Sequence, residues 1–433
     1  MKETMMKILK SFGLDKELDL YLQLFHKTPA TKFAVVKISG NTLEEKLLVV
    51  AEDLAFLSKL GLTPIVVHGG GKQIDKQLEK NGLAIKKVSG LRITDKETMK
   101  IAYKVMNNIT NKLVKAITNE GGHAINANGL ELIEVEKKPP VKGIDLGFVG
   151  DLTKIKTDKI TELCQSGYIP ILASIGHKED VAYNLNADTL ASGFVKRLKP
   201  KKFILITETG GVLDKNEQII STIDINADLP ELIKQNVITE GMLLKVKEIE
   251  TLLEKAPTTV VEVCSAENLL QELFTVKGSG TFIRYGGNFI IRKSFKGLNT
   301  TKIKKLLEES FGKELVPGYF YKAVDSVITD KDYSGIMIVK KINGVPYLDK
   351  FAITKSAQGN GLGKAMWTFV KNHYPTLIWR SSITNPINNW YFKNCDGIQK
   401  SNGWIIFWYN VSRTKATALI PIISKIPKTL VKK

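Results

Sequence analysis

The chain of 433 residues is 43% hydrophobic and 25% charged, and it carries a formal net charge of +19. Because this length exceeds that of a single hydrophobic core, we expect two or more domains, and the composition excludes a disordered or fibrous chain. No apolar run approaches the roughly 18 residues that span a bilayer, and the basic residues are scattered without a nucleic-acid-binding motif, so we expect anionic small substrates, no membrane and no nucleic acid.

The first 30 residues are predicted to form a helical extension, because "DKELDLYLQLF" at residues 15 to 25 spaces its apolar residues as a helix does. This region lacks the apolar core of a secretory signal and the arginines of a transit peptide, which predicts a cytoplasmic protein and leaves the mitochondrial matrix open. The three cysteines form no CxxC pair, and the five histidines show no paired spacing. These patterns favour a reducing compartment and predict no structural metal.

Residues 31 to 286 alternate short buried strands with helices. "FAVVKISG" and "TPIVVHGGG" are strands, each followed by a helix, and "YIPILASIG", "ADTLASGFVKRLK" and "KFILITE" repeat the order further along. This alternation predicts an α/β fold with a mainly parallel sheet, helices on both faces, and a ligand site beyond the carboxyl ends of the strands. "LELIEVE" and "GFVGDLTKI", between Gly129 and Thr157, predict a hairpin over that sheet.

A second, smaller domain is predicted over residues 300 to 412, after a linker at 287 to 299. "YKAVDSVITD", "YSGIMIVKKING" and "VPYLDKFAITK" alternate apolar and polar residues, as antiparallel strands with one exposed face do. A glycine-rich turn, "QGNGLG", and a helix follow them. Residues 413 to 433 contain two prolines and basic ends, which predicts a solvated basic tail.

Several segments of the first domain place charged groups and glycines at strand ends. Lys37 lies in "VVKISG", His68 to Gly71 end "TPIVVHGGG", Asp188 lies in "YNLNAD", and Lys245 lies in "ITEGMLLK". Phosphoryl transfer chiefly needs alignment and neutralisation of the negative charge on the moving group, which two lysines and glycine N–H groups supply. A carboxylate acceptor already carries its nucleophilic charge and needs no base, so this pattern favours phosphorylation of a carboxylate.

In order, "VVKISG", "VVHGGGKQID", "SGLRITDKETM", "GFVGDL", "YNLNADTLA" and "ITEGMLLKV" closely resemble the acetylglutamate kinases of the amino-acid-kinase family. The resemblance implies a three-layer sandwich that phosphorylates N-acetyl-L-glutamate with ATP and Mg²⁺. It implies that Lys37 and Lys245 stabilise the transferring phosphoryl group and that Asp188 orients both lysines. The remaining residues that it implies are phosphate-binding Gly40, Gly70 and Gly71, and N-acetylglutamate-binding Arg92 and Asn184.

Two positions depart from this family pattern. Ser39 stands where the first of paired glycines is common, and its side chain is expected to hinder the approach of a phosphate to the backbone. Glu208 and Thr209 in "TETGGVLD" replace the more usual aspartate-containing sequence. These departures leave open a kinase domain that serves only as a scaffold.

The "QGNGLG" turn of the second domain fits the turn of acetyl-CoA-dependent N-acetyltransferases, with Gln358, Gly361 and Gly363 in register. Residues without β-carbons let consecutive N–H groups face a pyrophosphate, and the following helix adds its positive end. A generic turn into a helix is the alternative.

Four residues around that turn suit acetyl transfer to glutamate. Lys350 in "YLDKFAIT" and Arg380 in "WRSSITNPINNWYF" suit its two carboxylates. Asn385 can orient a polar group, and Tyr391 can protonate a departing thiolate. No base for the glutamate ammonium emerges, so a water path to solvent is an equal hypothesis.

"LDKF", "QGNGLG", "WRS", "NPIN", "YF" and "DGIQKSNGWIIFWY" resemble the acetyltransferase domain of vertebrate-like N-acetylglutamate synthases and of bacterial bifunctional synthase/kinases. The resemblance implies a GNAT-type fold that binds acetyl-CoA and L-glutamate. It makes Lys350, Arg380, Asn385 and Tyr391 the glutamate-binding and catalytic residues, with Tyr391 as the acid. Ser382 replaces a frequent second arginine, which leaves the details of carboxylate binding open.

"QELFTVKGSGTFIR", residues 271 to 284, resembles the end of the kinase domain in arginine-sensitive relatives. By that resemblance Glu272, Gly278 and Gly280 contact L-arginine as an effector, and an ordinary loop is the alternative.

These patterns together predict a bifunctional enzyme of arginine biosynthesis that makes N-acetylglutamate and then phosphorylates it, as a homo-oligomer that is tetrameric by resemblance. Three alternatives remain: a kinase with a purely regulatory acetyltransferase domain, a synthase on an inactive kinase scaffold, and an arginine-sensing regulatory subunit with neither activity.

Overall fold

Two units divide the chain between residues 285 and 286 in the computed structural model. It describes residues 25, 28–226, 228–238, 240–274, 279–284, 289–355, 357 and 362–431. Apart from Phe25 and residues 28–30, the predicted N-terminal extension lies outside the described residues.

The first unit is built from alternating strands and helices. Its strands are β1 (Ala34–Ile38), β2 (Ile65–His68), β3 (Lys87–Val88), β4 (Leu91–Arg92), β5 (Ala124–Asn126), β6 (Ile133–Lys137), β7 (Gly150–Ile155), β8 (Ile169–Ala173), β9 (Ile175–Lys178), β10 (Val181–Asn184), β11 (Lys202–Ile206), β12 (Thr222–Asp224), β13 (Val260–Cys264) and β14 (Thr281–Arg284). Its helices are α1 (Gly40–Glu45), α2 (Leu47–Lys59), α3 (Gly71–Lys80), α4 (Lys96–Asn119), α5 (Gly129–Leu132), α6 (Thr157–Gln165), α7 (Ala187–Leu198), α8 (Leu229–Lys234), α9 (Glu240–Lys255) and α10 (Leu269–Phe274).

The main sheet of this unit has eight strands in the order β12-β14-β13-β11-β1-β2-β8-β5. Its pairs are parallel except for β13 with β14, which confirms the predicted mainly parallel sheet. Val35 on β1 packs into one apolar cluster and its neighbour Val36 into another, so both faces of the sheet are buried. The carboxyl ends of β1, β2 and β11 consequently meet at one edge.

A second sheet in this unit contains the predicted hairpin. Strands β6 and β7 pair antiparallel, as expected, and β9 and β10 extend them to the order β10-β9-β6-β7. The sequence did not predict the β9–β10 hairpin. Its turn uses Glu179 and Asp180 with φ of 48° and 63°, although it lacks the glycine that usually announces such a turn.

The second unit is mainly antiparallel. Its strands are β15 (Ile290–Arg292), β16 (Glu314–Leu315), β17 (Ser326–Thr329), β18 (Gly335–Ile342), β19 (Val345–Ile353), β20 (Leu377–Ser382), β21 (Gly397–Ser401), β22 (Trp404–Tyr409) and β23 (Leu430–Val431), and its helices are α11 (Thr300–Phe311), α12 (Leu362–His373), α13 (Asn388–Phe392) and α14 (Arg413–Lys425). Seven of the strands form one sheet in the order β15-β17-β18-β19-β20-β22-β21.

Strands β19 and β20 form the parallel pair of this sheet, and they separate soon after they meet. Their paired residues are Tyr347 with Ile378 and Leu348 with Trp379. Beyond Leu348 and Trp379 the two strands no longer pair, which leaves an opening between them.

Two sequence expectations fail in this unit. Residues 290–292 of the predicted linker are strand β15, which pairs with β17. The predicted solvated tail is helix α14 followed by β23, and Leu419, Ile420 and Ile423 of α14 pack with Val345 and Tyr347 in the core. The prolines and lysines of the tail obscured this helical spacing of apolar residues. No helix in the described part of the chain is both long and apolar enough to cross a bilayer.

Candidate active sites

The first site begins with an ion pair at the carboxyl edge of the main sheet. Nζ of Lys37, on β1, lies 3.0 Å from Oδ1 of Asp188, in the first turn of α7. Parallel pairing with β2 and β11 fixes β1, and the side chain of Asn186 fixes the start of α7 by accepting hydrogen bonds from the N–H groups of Asp188 and Thr189. The structure thus brings together two of the predicted catalytic residues.

Gly40, after β1, and Gly70, after β2, lie so close together beside this pair that position 40 has no room for a side chain. A β-carbon on Gly40 would lie 2.7 Å from Cα of Gly70, and one on Gly70 would lie 2.5 Å from Sδ of Met106. Gly71 has more room, since a β-carbon there would meet only the Arg92 guanidinium, at 4.0 Å. Helix α3 begins at Gly71, so its first N–H groups are available to an anion.

The backbone at position 39 does not require the glycine that is common there, so Ser39 fits without strain. Its φ of −70° and ψ of 148° are extended values that any residue adopts. Its Oγ accepts a hydrogen bond from the Thr42 N–H at 3.0 Å and lies 2.8 Å from the Thr42 hydroxyl. The side chain therefore caps α1, and this geometry removes the reason to expect that it hinders a phosphate.

A cavity of about 380 Å³ lies beside the ion pair, and the residues that line it include Gly70, Gly71, Arg92, Asn184 and Asp188. Arg92 is buried and donates to the Gly71 carbonyl at 2.9 Å and to the Asp75 carboxylate. Burial would raise the pKa of Asp75, but hydrogen bonds from Arg92 and Lys87 hold it below its usual value. Arg92 thus reaches the predicted substrate cavity while it supports the glycine turn.

His68 supports the same turn as a neutral group. It is fully buried, and this burial lowers its pKa to about 4. Its Nδ1 lies 3.1 Å from the Gly69 carbonyl oxygen and its Nε2 lies 2.7 Å from Oγ1 of Thr110, whose hydroxyl donates to the Met106 carbonyl at 3.1 Å. A neutral imidazole whose two ring nitrogens both have polar partners adds no charge to the site.

A polar group that the sequence did not predict joins the ends of three strands. Asn41 donates to Oε1 of Glu208 at 2.5 Å, and Nζ of Lys72 lies 3.8 Å from the same oxygen. Lys72 also lines the cavity. The sequence held two signals of this group: Lys72 directly follows the three glycines, and Glu208 is unusual at its position. The contact between Lys72 and Glu208 could not be predicted, because it depends on strand register.

Lys245 is not joined to this group by any contact among the described residues. It lies on α9 and is exposed. Its predicted role in phosphoryl transfer therefore stays a prediction.

The second site contains Lys350 on β19, just beyond the last paired residues of β19 and β20. Its Nζ donates to Oγ1 of Thr429 at 2.7 Å and to the Asp349 carbonyl at 3.1 Å, and it lies 3.1 Å from the Asp349 carboxylate. That carboxylate also accepts from Tyr319 at 2.6 Å and pairs with Lys340 at 3.0 Å. Burial lowers the pKa of Lys350, whereas Lys350 and Lys340 outweigh burial to hold the pKa of Asp349 below its usual value.

Arg380 lies on the same face, one residue beyond the last pair of β20. It donates to the carbonyls of Ile423 at 2.8 Å and Pro427 at 3.4 Å, and its guanidinium stacks 4.0 Å above the ring of Trp404. Both predicted glutamate-binding cations therefore contact residues of the predicted tail.

Tyr391 lies on the opposite face of the sheet, in an aromatic cluster. Its ring centre is 5.5 Å from that of Trp379 and 6.0 Å from that of Trp367. Burial raises the pKa of Tyr391, so its hydroxyl stays protonated. Asn385 donates to Oγ of Ser381 at 2.9 Å and helps to form the turn before α13. The structure does not place Tyr391 or Asn385 in contact with Lys350 or Arg380.

Some of the other predicted residues lie outside the described residues. This applies to Gln358 and Gly361 of the coenzyme A turn and to Gly278 of the arginine loop, while Gly363 lies in the first turn of α12. Glu272 is buried, and its Oε1 accepts from the Gly280 N–H at 2.8 Å. Among the described residues no three acidic, histidine or cysteine side chains converge as a metal site.

Two family models match the chain, one in each unit. The amino acid kinase family matches residues 32–262, and the N-acetyltransferase domain of N-acetylglutamate synthase matches residues 290–426. Acetylglutamate kinase of Xylella fastidiosa (strain 9a5c) is 36% identical over 398 residues, which cover 91% of this chain and 93% of that protein. Mitochondrial N-acetylglutamate synthase of Homo sapiens is 32% identical over 273 residues, which cover 61% of this chain and 51% of that protein.

Solved structures share this fold over nearly the whole chain. N-acetylglutamate synthase from Neisseria gonorrhoeae, complexed with coenzyme A and N-acetyl-glutamate, has a TM-score of 0.62 at 19% identity and covers 96% of this chain and 97% of its own. The same synthase complexed with coenzyme A and L-arginine has a TM-score of 0.59 at 17% identity and covers 92% of this chain and 98% of its own.

Proposed function

The chain belongs to the amino acid kinase family, and from this premise we propose that it catalyses two consecutive steps of arginine biosynthesis. The second unit transfers the acetyl group of acetyl-CoA to L-glutamate, and the first phosphorylates the resulting N-acetyl-L-glutamate with ATP. The observation that carries the kinase activity is the 3.0 Å Lys37–Asp188 pair beside a cavity lined by Arg92 and the glycine turn.

In the kinase reaction a carboxylate oxygen of N-acetylglutamate attacks the γ-phosphorus of ATP, the bond from that phosphorus to the bridging oxygen breaks, and ADP leaves. Lys37 and the N–H groups at the start of α3 neutralise the charge on the moving group, and Asp188 holds Lys37 in place. Arg92, at the cavity, is suited to the other carboxylate of the substrate.

Magnesium would enter this site on the phosphates of ATP, where it neutralises their charge. The residues around the cavity fit that mode, because Mg²⁺ keeps several waters and needs only one or two protein carboxylates. Asp188, in the first turn of α7, and Glu208, after β11, are each about half exposed and are the carboxylates that would meet it.

In the acetyl transfer the neutral amine of glutamate attacks the thioester carbonyl, and the carbon–sulfur bond then breaks. The ammonium first loses a proton to solvent. The Tyr391 hydroxyl then gives its proton to the leaving thiolate and regains one from the attacking nitrogen as the amide forms. Lys350 and Arg380 take the two carboxylates, and the turn before α12 takes the pyrophosphate of coenzyme A.

Two separate assays test this function. Purified protein should release ADP from ATP plus N-acetylglutamate, and free coenzyme A from acetyl-CoA plus L-glutamate. Asp188→Asn should lower only the first rate, by about 100-fold if its electrostatic role is typical, and Tyr391→Phe should lower only the second. If the unmodified protein lacks one activity, the corresponding unit is regulatory or a scaffold, and loss of both supports a regulatory subunit.

We also propose L-arginine as an effector and a homo-oligomeric, tetrameric assembly. Glu272 is buried and accepts a hydrogen bond from the Gly280 N–H, and a carboxylate at this position suits a guanidinium ligand. Titration with L-arginine should change one or both rates and raise the melting temperature, and light scattering should give the tetramer mass. If neither rate nor melting temperature responds, the effector proposal fails.

A further inference from the structure

Residues 427–431 cover the cations that acetyl transfer assigns to glutamate, and we call this segment the latch. The ammonium group of Lys350 has three N–H donors, and three acceptors surround it: Oγ1 of Thr429, the Asp349 carbonyl and the Asp349 carboxylate. A glutamate carboxylate can reach Lys350 only by replacing one of them. Asp349 is further held by Tyr319 and Lys340, so Thr429 is the partner that can leave.

The same segment occupies Arg380. The guanidinium donates at 3.4 Å to the Pro427 carbonyl, in the latch, and at 2.8 Å to the Ile423 carbonyl, at the end of α14. Carbonyl oxygens of the chain thus accept hydrogen bonds that carboxylate oxygens of the substrate would accept.

The latch is held by a two-residue strand pairing and by the packing of Leu430, an arrangement that allows local opening. Its strand β23 has two residues and, in the described part of the chain, pairs with β16 alone, through Leu430 with Leu315 and Val431 with Glu314. The Thr429 carbonyl accepts from the Val316 N–H at 3.1 Å, and Val431 is 44% exposed. A pairing of only two residues on each strand opens without unfolding the rest of a domain.

We propose that the latch closes the acceptor site of the second unit and that L-glutamate binds by displacing it from Lys350 and Arg380. This inference rests on the proposed acetyl transfer to L-glutamate. Because only the open form binds substrate, the apparent affinity for L-glutamate is reduced by the fraction of open molecules. Weakening the latch should therefore lower the KM for L-glutamate.

The variant Thr429→Val tests this, since it keeps the shape of the side chain and removes the oxygen bonded to Lys350. We expect the KM for L-glutamate to fall by about tenfold, the effect of one lost charged hydrogen bond in the closed form, while the KM for acetyl-CoA and the kinase rate stay unchanged. Thr417→Val, on the exposed face of α14, is the matched control. An unchanged or higher KM for L-glutamate in Thr429→Val at an unchanged melting temperature would overturn the latch.

Hydrogen exchange of the unmodified full-length protein separates this inference from the proposed function. Adding L-glutamate alone should speed exchange of the amides of Val316 and of residues 428–431, because the latch opens. Slower or unchanged exchange contradicts the latch. If faster exchange occurs without formation of N-acetylglutamate, the latch stands and the synthase activity fails.

Discussion

Lys37 and Asp188 are positioned by regular elements rather than by loops. Lys37 belongs to a strand paired on both sides, and Asp188 belongs to a helix whose first turn is capped by Asn186. The lysine is 16% exposed and the carboxylate 54%, so the pair lies at the boundary between the core and the cavity. Groups held this way need little rearrangement when charge moves onto a phosphoryl group, which is what electrostatic catalysis requires.

The burial of His68 makes the stability of the first unit depend on pH. Its pKa falls from 6.5 to about 4 in the folded protein because burial disfavours the charged imidazole. Between these pH values the unfolded chain binds a proton that the folded chain does not, so stability is lost as the pH falls through this window. Below pH 4 this lowers the free energy of unfolding by about 3 kcal/mol in total, at about 1.4 kcal/mol per pKa unit.

His68→Gln should remove this contribution. Urea unfolding followed by circular dichroism at pH 7 and pH 4.5 should show a smaller acid-induced loss of stability in His68→Gln than in the unmodified protein. His123→Gln, at an exposed histidine, should keep the original pH dependence. Equal acid-induced losses in all three proteins would contradict a neutral buried His68.

Single residues of the kinase site were predictable where they stand at strand ends. Parallel strands bring their carboxyl ends together, so Lys37 and the glycine turn could be assigned to one site from spacing alone. The contacts of Glu208 with Asn41 and Lys72 could not, because they depend on side chains that reach across strand ends. The bond between Lys350 and Thr429 joins residues far apart in sequence, and no local pattern announces it.

Elements were predictable where their apolar periodicity was regular. Strands β1, β2, β8 and β11 of the main sheet and the β6–β7 hairpin follow their patterns, whereas β9 and β10 turn on charged residues and α14 contains Pro421. A proline within a helix removes one backbone donor and usually ends or bends the helix. Helix α14 forms nevertheless, because its buried side chains pack against β19 and β20.

That packing predicts effects of different size for two neighbouring isoleucines of α14. Ile423 is fully buried, and Ile422 is 43% exposed. Ile423→Ala should lower the free energy of unfolding of the second unit by about 2–5 kcal/mol, the usual cost of emptying a core site, and Ile422→Ala by less than about 1 kcal/mol. Tryptophan fluorescence during urea unfolding measures this unit selectively, because all five tryptophans lie between Trp367 and Trp408. Equal effects of the two substitutions would show that α14 does not pack as described.

The whole molecule joins two units whose reactions share one compound. Each unit has a helix that follows glycines in the sequence, α3 in the first and α12 in the second, and helix N-termini bind phosphates. We propose that the two helix N-termini take different phosphate-bearing substrates, ATP and acetyl-CoA, rather than duplicating one site. The positive net charge of the chain suits its substrates, all of which are anions.

If both units are active, the product of the second is the substrate of the first, and this order predicts the behaviour of the full-length protein. With L-glutamate, acetyl-CoA and ATP present together, ADP should appear after a lag while N-acetylglutamate accumulates. Tyr391→Phe should abolish this ADP release, and added N-acetylglutamate should restore it, because the kinase unit of that variant is intact. Asp188→Asn should block ADP release under both conditions while free coenzyme A still forms. ADP release that is independent of acetyl-CoA would contradict the order, since it would show that the kinase unit phosphorylates L-glutamate itself.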